Sequence, residues 1–282
     1  MIRRYLSSLA AVGFAALFFG PSPALAQPYL GANLSPFAVL AGSAITCTGP
    51  GVVTGDMGIS PNGASSITGF PVPCTVTGAT HAADATALAA QNELTTAFTT
   101  LGTLPCTQDL TGTDLGGLTL TPGVYCYSTS AQLTGALTLN AQSNPTAVWV
   151  FRTGSTLNAA PGSAVTFING GNPCNVQWRV GSSATLDTTA SFRGNILAQA
   201  SITLNNGASL IGRALARTGA VTLIGNNIAN LDAVCGAAPA PPPFPPPPVP
   251  TLPEIGAWLL LLVLLGTGAY LLSRRTPTEA SR

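Results

Sequence analysis

The chain has 282 residues, of which only 7% are charged, and its net charge is +1 with no lysine at all. Between 27 and 235 five arginines stand against seven acids, so no basic patch is available to track phosphates and nucleic-acid binding is excluded. The 46% hydrophobic fraction is regularly spaced, which excludes a disordered chain, and about 210 residues suffice for one sizeable core.

Arg3 and Arg4 precede an apolar run over 9–19, and Ala24-Leu25-Ala26 offers small residues for cleavage. This is the pattern of a secretory signal peptide over 1–26. The six cysteines (Cys47, Cys74, Cys106, Cys126, Cys174, Cys235) all follow it. An even count in an oxidising compartment predicts up to three disulfides. Fifteen pairings are open; Cys106 with Cys126 is favoured because the two lie near in sequence and bracket one coil.

Residues 81–101 break an otherwise strand-like pattern. Ala87, Gln91, Leu94, Phe98 and Leu101 recur at helical spacing, with Ala90 and Ala97 beside them. Thr80 is the expected N-cap, Asp84 suits the first turn, and Gly102 and Pro105 end the helix. Its polar face places it on the outside of the fold.

Beyond it an apolar-Thr-apolar pattern repeats, centred on Thr119, Thr138, Thr166, Thr185, Thr203 and Thr222. The steps from Thr119 to Thr138, Thr166 to Thr185, Thr185 to Thr203 and Thr203 to Thr222 are 19, 19, 18 and 19 residues. One strand pattern per fixed period predicts a solenoid. Alternation turns the aliphatic side chains inward and the threonines outward. Corners are expected at Asn62-Gly63, Pro122-Gly123, Pro161-Gly162, Asn206-Gly207 and Gly225-Asn226, where glycine or asparagine tolerates positive φ. The continuous apolar run over 147–151 suits a strand covered on both sides, with the helix as its outer cover. Three short strands and three corners per coil predict a triangular parallel β-helix with one flanking helix.

The chain closes with a proline-rich segment, 237–250, expected to form a stiff polyproline II stalk. Residues 255–272 carry no charge and are long enough to span a bilayer, with Arg274 and Arg275 on the cytoplasmic side. The expected layout is an exported domain, 27–236, held off a membrane.

Catalytic chemistry finds little support. The domain's acids (Asp56, Asp84, Glu93, Asp109, Asp114, Asp187 and Asp232) are scattered, and His81 has no second histidine to work with. Asp56, Asp109 and Asp114 suit turn and loop roles. No Cys-x-x-Cys or Cys/His cluster suggests a metal, and no cofactor is expected.

Several stretches resemble one family in order and along nearly the whole exported domain. They are Phe37-Ala38-Val39-Leu40-Ala41-Gly42-Ser43, Val53-Thr54-Gly55-Asp56-Met57-Gly58-Ile59-Ser60-Pro61, His81-Ala82-Ala83-Asp84-Ala85-Thr86, the run over 115–125 and the run over 212–223. This set resembles the DUF3494 ice-binding proteins. The resemblance implies a discontinuous right-handed β-solenoid with a long helix alongside, and a non-enzymatic protein that adsorbs to ice. Val249-Pro250-Thr251-Leu252 resembles the IPTL-CTERM sorting motif of Gram-negative bacteria. That implies a membrane sorting protease as a partner and a cell-surface or extracellular destination.

Ice offers no charge to pair with, so a binding face should be flat, weakly polar and regular. Threonine supplies a hydroxyl for the water network, an apolar methyl, and a stiff χ1 that limits entropy loss. The first candidate face is Thr119, Thr121, Thr138, Asn140, Thr185, Thr203, Asn205 and Thr222, read as one file. A second follows the family's Thr-Ala/Gly-x-Thr/Asn pattern: Thr153 and Thr156, with the degenerate versions Thr189 and Ser191, and Asn206 and Ser209. The expected partners are an ice crystal surface and, through the C-terminal helix, a membrane; the protein is expected to be a monomer. The alternative is a surface adhesin or glycan-binding module on the same fold.

Overall fold

Alternating strands cannot bury their aliphatic side alone, and here they do so by stacking into coils around a common interior. The computed structural model describes residues 29–230. The expected signal peptide (1–26), stalk (237–250), apolar span (255–272) and sorting motif (249–252) lie outside the described residues. Among the described residues no helix is long and apolar enough to cross a membrane. Every strand pairing is parallel, and the strands line three faces of a solenoid.

One face is a separate seven-stranded sheet: Ala131–Leu133, Leu157–Ala159, Ala184–Leu186, Ile202–Leu204, Val221–Ile224, Ile45–Thr48 and Ile67–Thr68, in that spatial order. The other two faces share a larger sheet, because the eight-residue strands Ser191–Ala198 and Ser209–Ala216 bend around a corner and serve both. The bend falls at Gly194 (φ +109) and Gly212 (φ +154). A Cβ on Gly212 would lie 1.9 Å from the Gly194 carbonyl oxygen, so only glycine allows the two strands to turn together.

The coils do not stack in chain order. Residues 37–82 form the coils beyond the last one, so Ile45 pairs with Val221 and Val39 with Ala214. This is the discontinuity that the resemblance implied. The junction is also tied by polar groups. Arg213 Nη2 donates to the Ser35 carbonyl at 2.8 Å, and Asn230 Nδ2 donates to the Pro36 carbonyl at 2.8 Å. The interior is filled by aligned inward side chains. Tyr125, Phe151, Trp178 and Phe192 stack along the coils, with Phe151 and Trp178 rings 4.0 Å apart and nearly parallel.

The helix, α1 (Ala85–Thr103), covers the third face. Leu94, Phe98 and Leu101 pack on Val150, Leu197, Leu215 and Leu40, so the strand containing Val150 is buried on both sides as expected. α1 carries no basic residue in its last turn. The solenoid supplies them: Arg179 and Arg217 lie 4.1 and 4.7 Å from the Phe98 ring centre, and Arg152 donates to the Leu104 carbonyl.

α1 begins four residues later than expected, and the cap is Asp84 rather than Thr80. Asp84 is extended (φ −97°, ψ 172°) and its Oδ1 accepts from the Ala87 amide at 2.7 Å. Thr80–Ala82 is instead a strand, with His81 opposite Gly58. The Ala87 amide, then the His81 ring 2.9 Å away, hold the Asp84 carboxyl below the ordinary carboxylate range. The unfolded chain therefore takes up a proton first as pH falls. The contribution of Asp84 is complete above about pH 4 and is lost as pH drops through the folded value. An Asp84→Ala variant is expected to unfold at lower urea than wild type at pH 7, and the gap should close below about pH 4.

Cys106 and Cys126 form a disulfide, as favoured above, and Cys47 pairs with Cys74. Cys174 is also disulfide-bonded. The first closes a loop of sequence separation 20, for which chain entropy gives about 3 kcal/mol. A Cys106→Ser/Cys126→Ser variant should lose about that much in urea unfolding.

Candidate ice-binding face

The single threonine file expected above is two files on two faces. Thr185, Thr203 and Thr222 stand opposite one another on the seven-stranded sheet. Thr119 and Thr138 stand opposite one another elsewhere, on the face that also holds Thr166. Both faces use the same apolar-Thr-apolar grammar, so spacing alone merged them.

On the seven-stranded sheet the outward central file reads Gln132, Asn158, Thr185, Thr203, Thr222, Thr46 and Thr68. Its inward neighbours, such as Leu186, Leu204 and Leu223, are fully buried or nearly so. Seven rungs at about 4.8 Å give a face roughly 29 Å long. Among the described residues nothing hydrogen-bonds the hydroxyls of Thr185, Thr203 or Thr222, so they are left to water. The margins are small and uncharged over most of their length, with Ser183 and Ser201 on one side and Asn205 and Thr48 on the other. Thr156, drawn from the second candidate set, lies on the first margin, where its hydroxyl donates to Ser130 Oγ at 2.8 Å.

The second face is less regular. Its file reads Thr119, Thr138 and Thr166, and the register set by Ala164 opposite Ser191 then brings Arg193 beside Thr166, followed by Ile211, Ala229 and Thr54. A guanidinium and two aliphatic residues interrupt it. Its threonines are also partly occupied with one another: the Thr138 and Thr166 hydroxyls are 3.3 Å apart, and Thr166 Oγ1 donates to the Leu137 carbonyl. Asn140 lies here too and is tied down, accepting from the Gln142 amide and from Asn169 Nδ2. Thr121 follows the terminal strand Thr119–Leu120 and is exposed.

The second candidate set is scattered rather than assembled. Thr153 is 2% exposed and donates to the Ser155 carbonyl, so it is removed from any surface. Thr189 (φ +58) and Asn206 sit at exposed corners. Ser191 and Ser209 are neighbours on the interrupted face.

Thr46 and Thr68 were missed. Ile45-Thr46-Cys47 and Ile67-Thr68 carry the same grammar, but they reach the file only through the out-of-order stacking, which no period can register. Among the described residues no group of three or more His, Cys, Asp or Glu is placed to hold a metal ion. The acids serve the backbone: Asp56 accepts from the Ala79 amide, Asp109 from Thr111, and Asp114 from Gly116 and Thr134.

The sequence pattern described as Ice-binding-like matches residues 39–229. An ice-binding protein of Nostoc sp. (strain HG1) is 48% identical over 229 residues, covering 81% of this chain and 83% of the relative. Among solved structures, an ice-binding protein from an Antarctic biological consortium superposes with a TM-score of 0.69 at 41% identity, covering 72% of this chain and 91% of that one. An ice-binding protein from the Antarctic ascomycete Antarctomyces psychrotrophicus gives 0.67 at 39% identity, covering 70% and 96%. The match through the coils on both sides of the helix, joined to the superposition on solved ice-binding structures, places the chain in the ice-binding-like family.

Proposed function

We propose that the protein adsorbs to ice through the seven-stranded face and so restrains ice growth or recrystallisation. The observation that carries this is the in-register row of Thr185, Thr203 and Thr222, whose hydroxyls have no partner among the described residues. Side chains at i and i+2 along a strand are about 6.6–6.8 Å apart, and the coil spacing supplies the second direction. The result is a grid of hydroxyls and methyls on a rigid backing. Each contact is weak and water-mediated; the sum is large because the array is preorganised. Adsorbed molecules then pin the ice front, curve it and lower its local freezing point.

Membership of a family whose named relatives are ice-binding proteins supports the same reading. The mode of action is adsorption, without a catalytic step. We further propose that the signal peptide exports the domain, that the stalk and sorting motif display it at the cell surface or release it, and that it acts as a monomer.

Thermal hysteresis and recrystallisation inhibition of the purified protein test the proposal. A clear hysteresis gap with faceted crystals is expected. Folded protein that leaves crystals unshaped, yet binds on a glycan panel, would shift the assignment to the adhesin reading.

A further inference from the structure

We infer that Asp187 is a charged defect at the margin of the ice-binding face that holds its activity below what the threonine array could deliver. The inference rests on the assignment of the seven-stranded face made above. Asp187 directly follows the strand Ala184–Leu186, two residues beyond Thr185 and on the same outward side. The pairing of Leu186 with Leu204 brings it beside Asn205, whose Nδ2 donates to Asp187 Oδ1 at 3.0 Å. Asp187 therefore adjoins two rungs in the middle of the file, those of Thr185 and Thr203. Among the described residues, it is the one ionisable side chain beside the threonine rungs of this face; Asp114, which accepts from the Thr134 amide, lies beyond the Gln132 end of the file.

Three features make the charge persistent and unshielded. Both protein donors, the Thr188 amide at 2.7 Å and Asn205 Nδ2, go to Oδ1, which leaves Oδ2 to water. The ion pairs among the described residues all involve His81, so no cation neutralises Asp187. The Thr188 amide first, and then Asn205, hold the carboxyl below the usual carboxylate range, so it stays ionised well into acid.

An ionised carboxylate turns the hydrogens of its water shell toward itself. A water in ice must donate and accept in a tetrahedral lattice. The shell of Oδ2 cannot be shared with the crystal, and stripping it away without a counter-ion is costly. Adsorption therefore either leaves a gap at these rungs or pays for desolvation. Asparagine keeps the Oδ1 acceptor and the shape but removes the charge, so Asp187→Asn isolates the effect.

Thermal hysteresis of Asp187→Asn should rise about twofold at equal concentration, the scale of an exposed charge effect. Asp109→Asn is the control: Asp109 is exposed and likewise held ionised, but it sits on an end strand of the other sheet, and its loss changes net charge equally. It should leave hysteresis unchanged. Thr203→Tyr is run alongside, and thermal unfolding confirms that each variant is folded; Asp187→Ser replaces the asparagine variant should that one misfold. If Thr203→Tyr abolishes activity while Asp187→Asn leaves it flat or lowers it, the inference is wrong and the face stands. An equal rise in Asp187→Asn and Asp109→Asn would trace the effect to net charge and overturn the inference. Unchanged activity in Thr203→Tyr would remove the face itself, and the inference with it.

Discussion

A Thr203→Tyr variant is expected to lose at least about tenfold in thermal hysteresis while keeping its fold. Thr203 is in the central file, with Thr185 on one side and Thr222 on the other. Its side chain points outward between Ile202 and Leu204, which are fully buried, so a larger residue disturbs no core packing. A phenol at that point stands several ångströms above its neighbours. A rigid lattice cannot bend round it, so contacts at adjacent rungs are lost along with its own. The effect is cooperative because the array works through simultaneous weak contacts. Losing about 1.4 kcal/mol of adsorption is already tenfold, and several rungs share the loss. Hysteresis and recrystallisation inhibition at matched concentration give the readout, with circular dichroism as the fold control.

The second large effect concerns the scaffold. Gly212→Ala is expected to destabilise the domain by about 3 kcal/mol or more, because the new Cβ meets backbone rather than a flexible side chain. The added methyl must push apart Ser191–Ala198 and Ser209–Ala216, the two strands that carry the sheet around the corner. For a domain of this size that corresponds to a drop of roughly 6–12 °C in Tm. Gly63→Ala is the matched comparison, since a Cβ there meets nothing within 4 Å, and its Tm should move little. Differential scanning calorimetry of the two variants measures the difference.

Much of the scaffold was legible in the residues. Alternation over segments such as Ile202-Thr203-Leu204 marks a half-buried strand wherever it folds, because burial and pleat share a period of two. The helix was legible for the same local reason, through Leu94, Phe98 and Leu101. Its start was misplaced because a carboxylate at Asp84 accepts the Ala87 amide directly, leaving Thr80 free to enter a strand. The face was only half legible. A local pattern says that a threonine points outward, not toward which of three sides. Thr138 and Thr166 lie opposite each other although 28 residues apart, because an extra loop enlarges that coil. Thr46 meets Thr222 across nearly the whole domain. Thr153 failed for a third reason: its strand end turns inward under the next coil, where the amide of Gly181 donates to its Oγ1.

On the proposed reading one face, and not its neighbour, meets ice. Fluorescently labelled protein frozen into a growing ice hemisphere tests it most directly, comparing wild type with Thr203→Tyr and Thr138→Tyr. Wild type and Thr138→Tyr should be taken up into the ice while Thr203→Tyr is excluded; uptake of Thr203→Tyr with exclusion of Thr138→Tyr would move the binding surface to the neighbouring face.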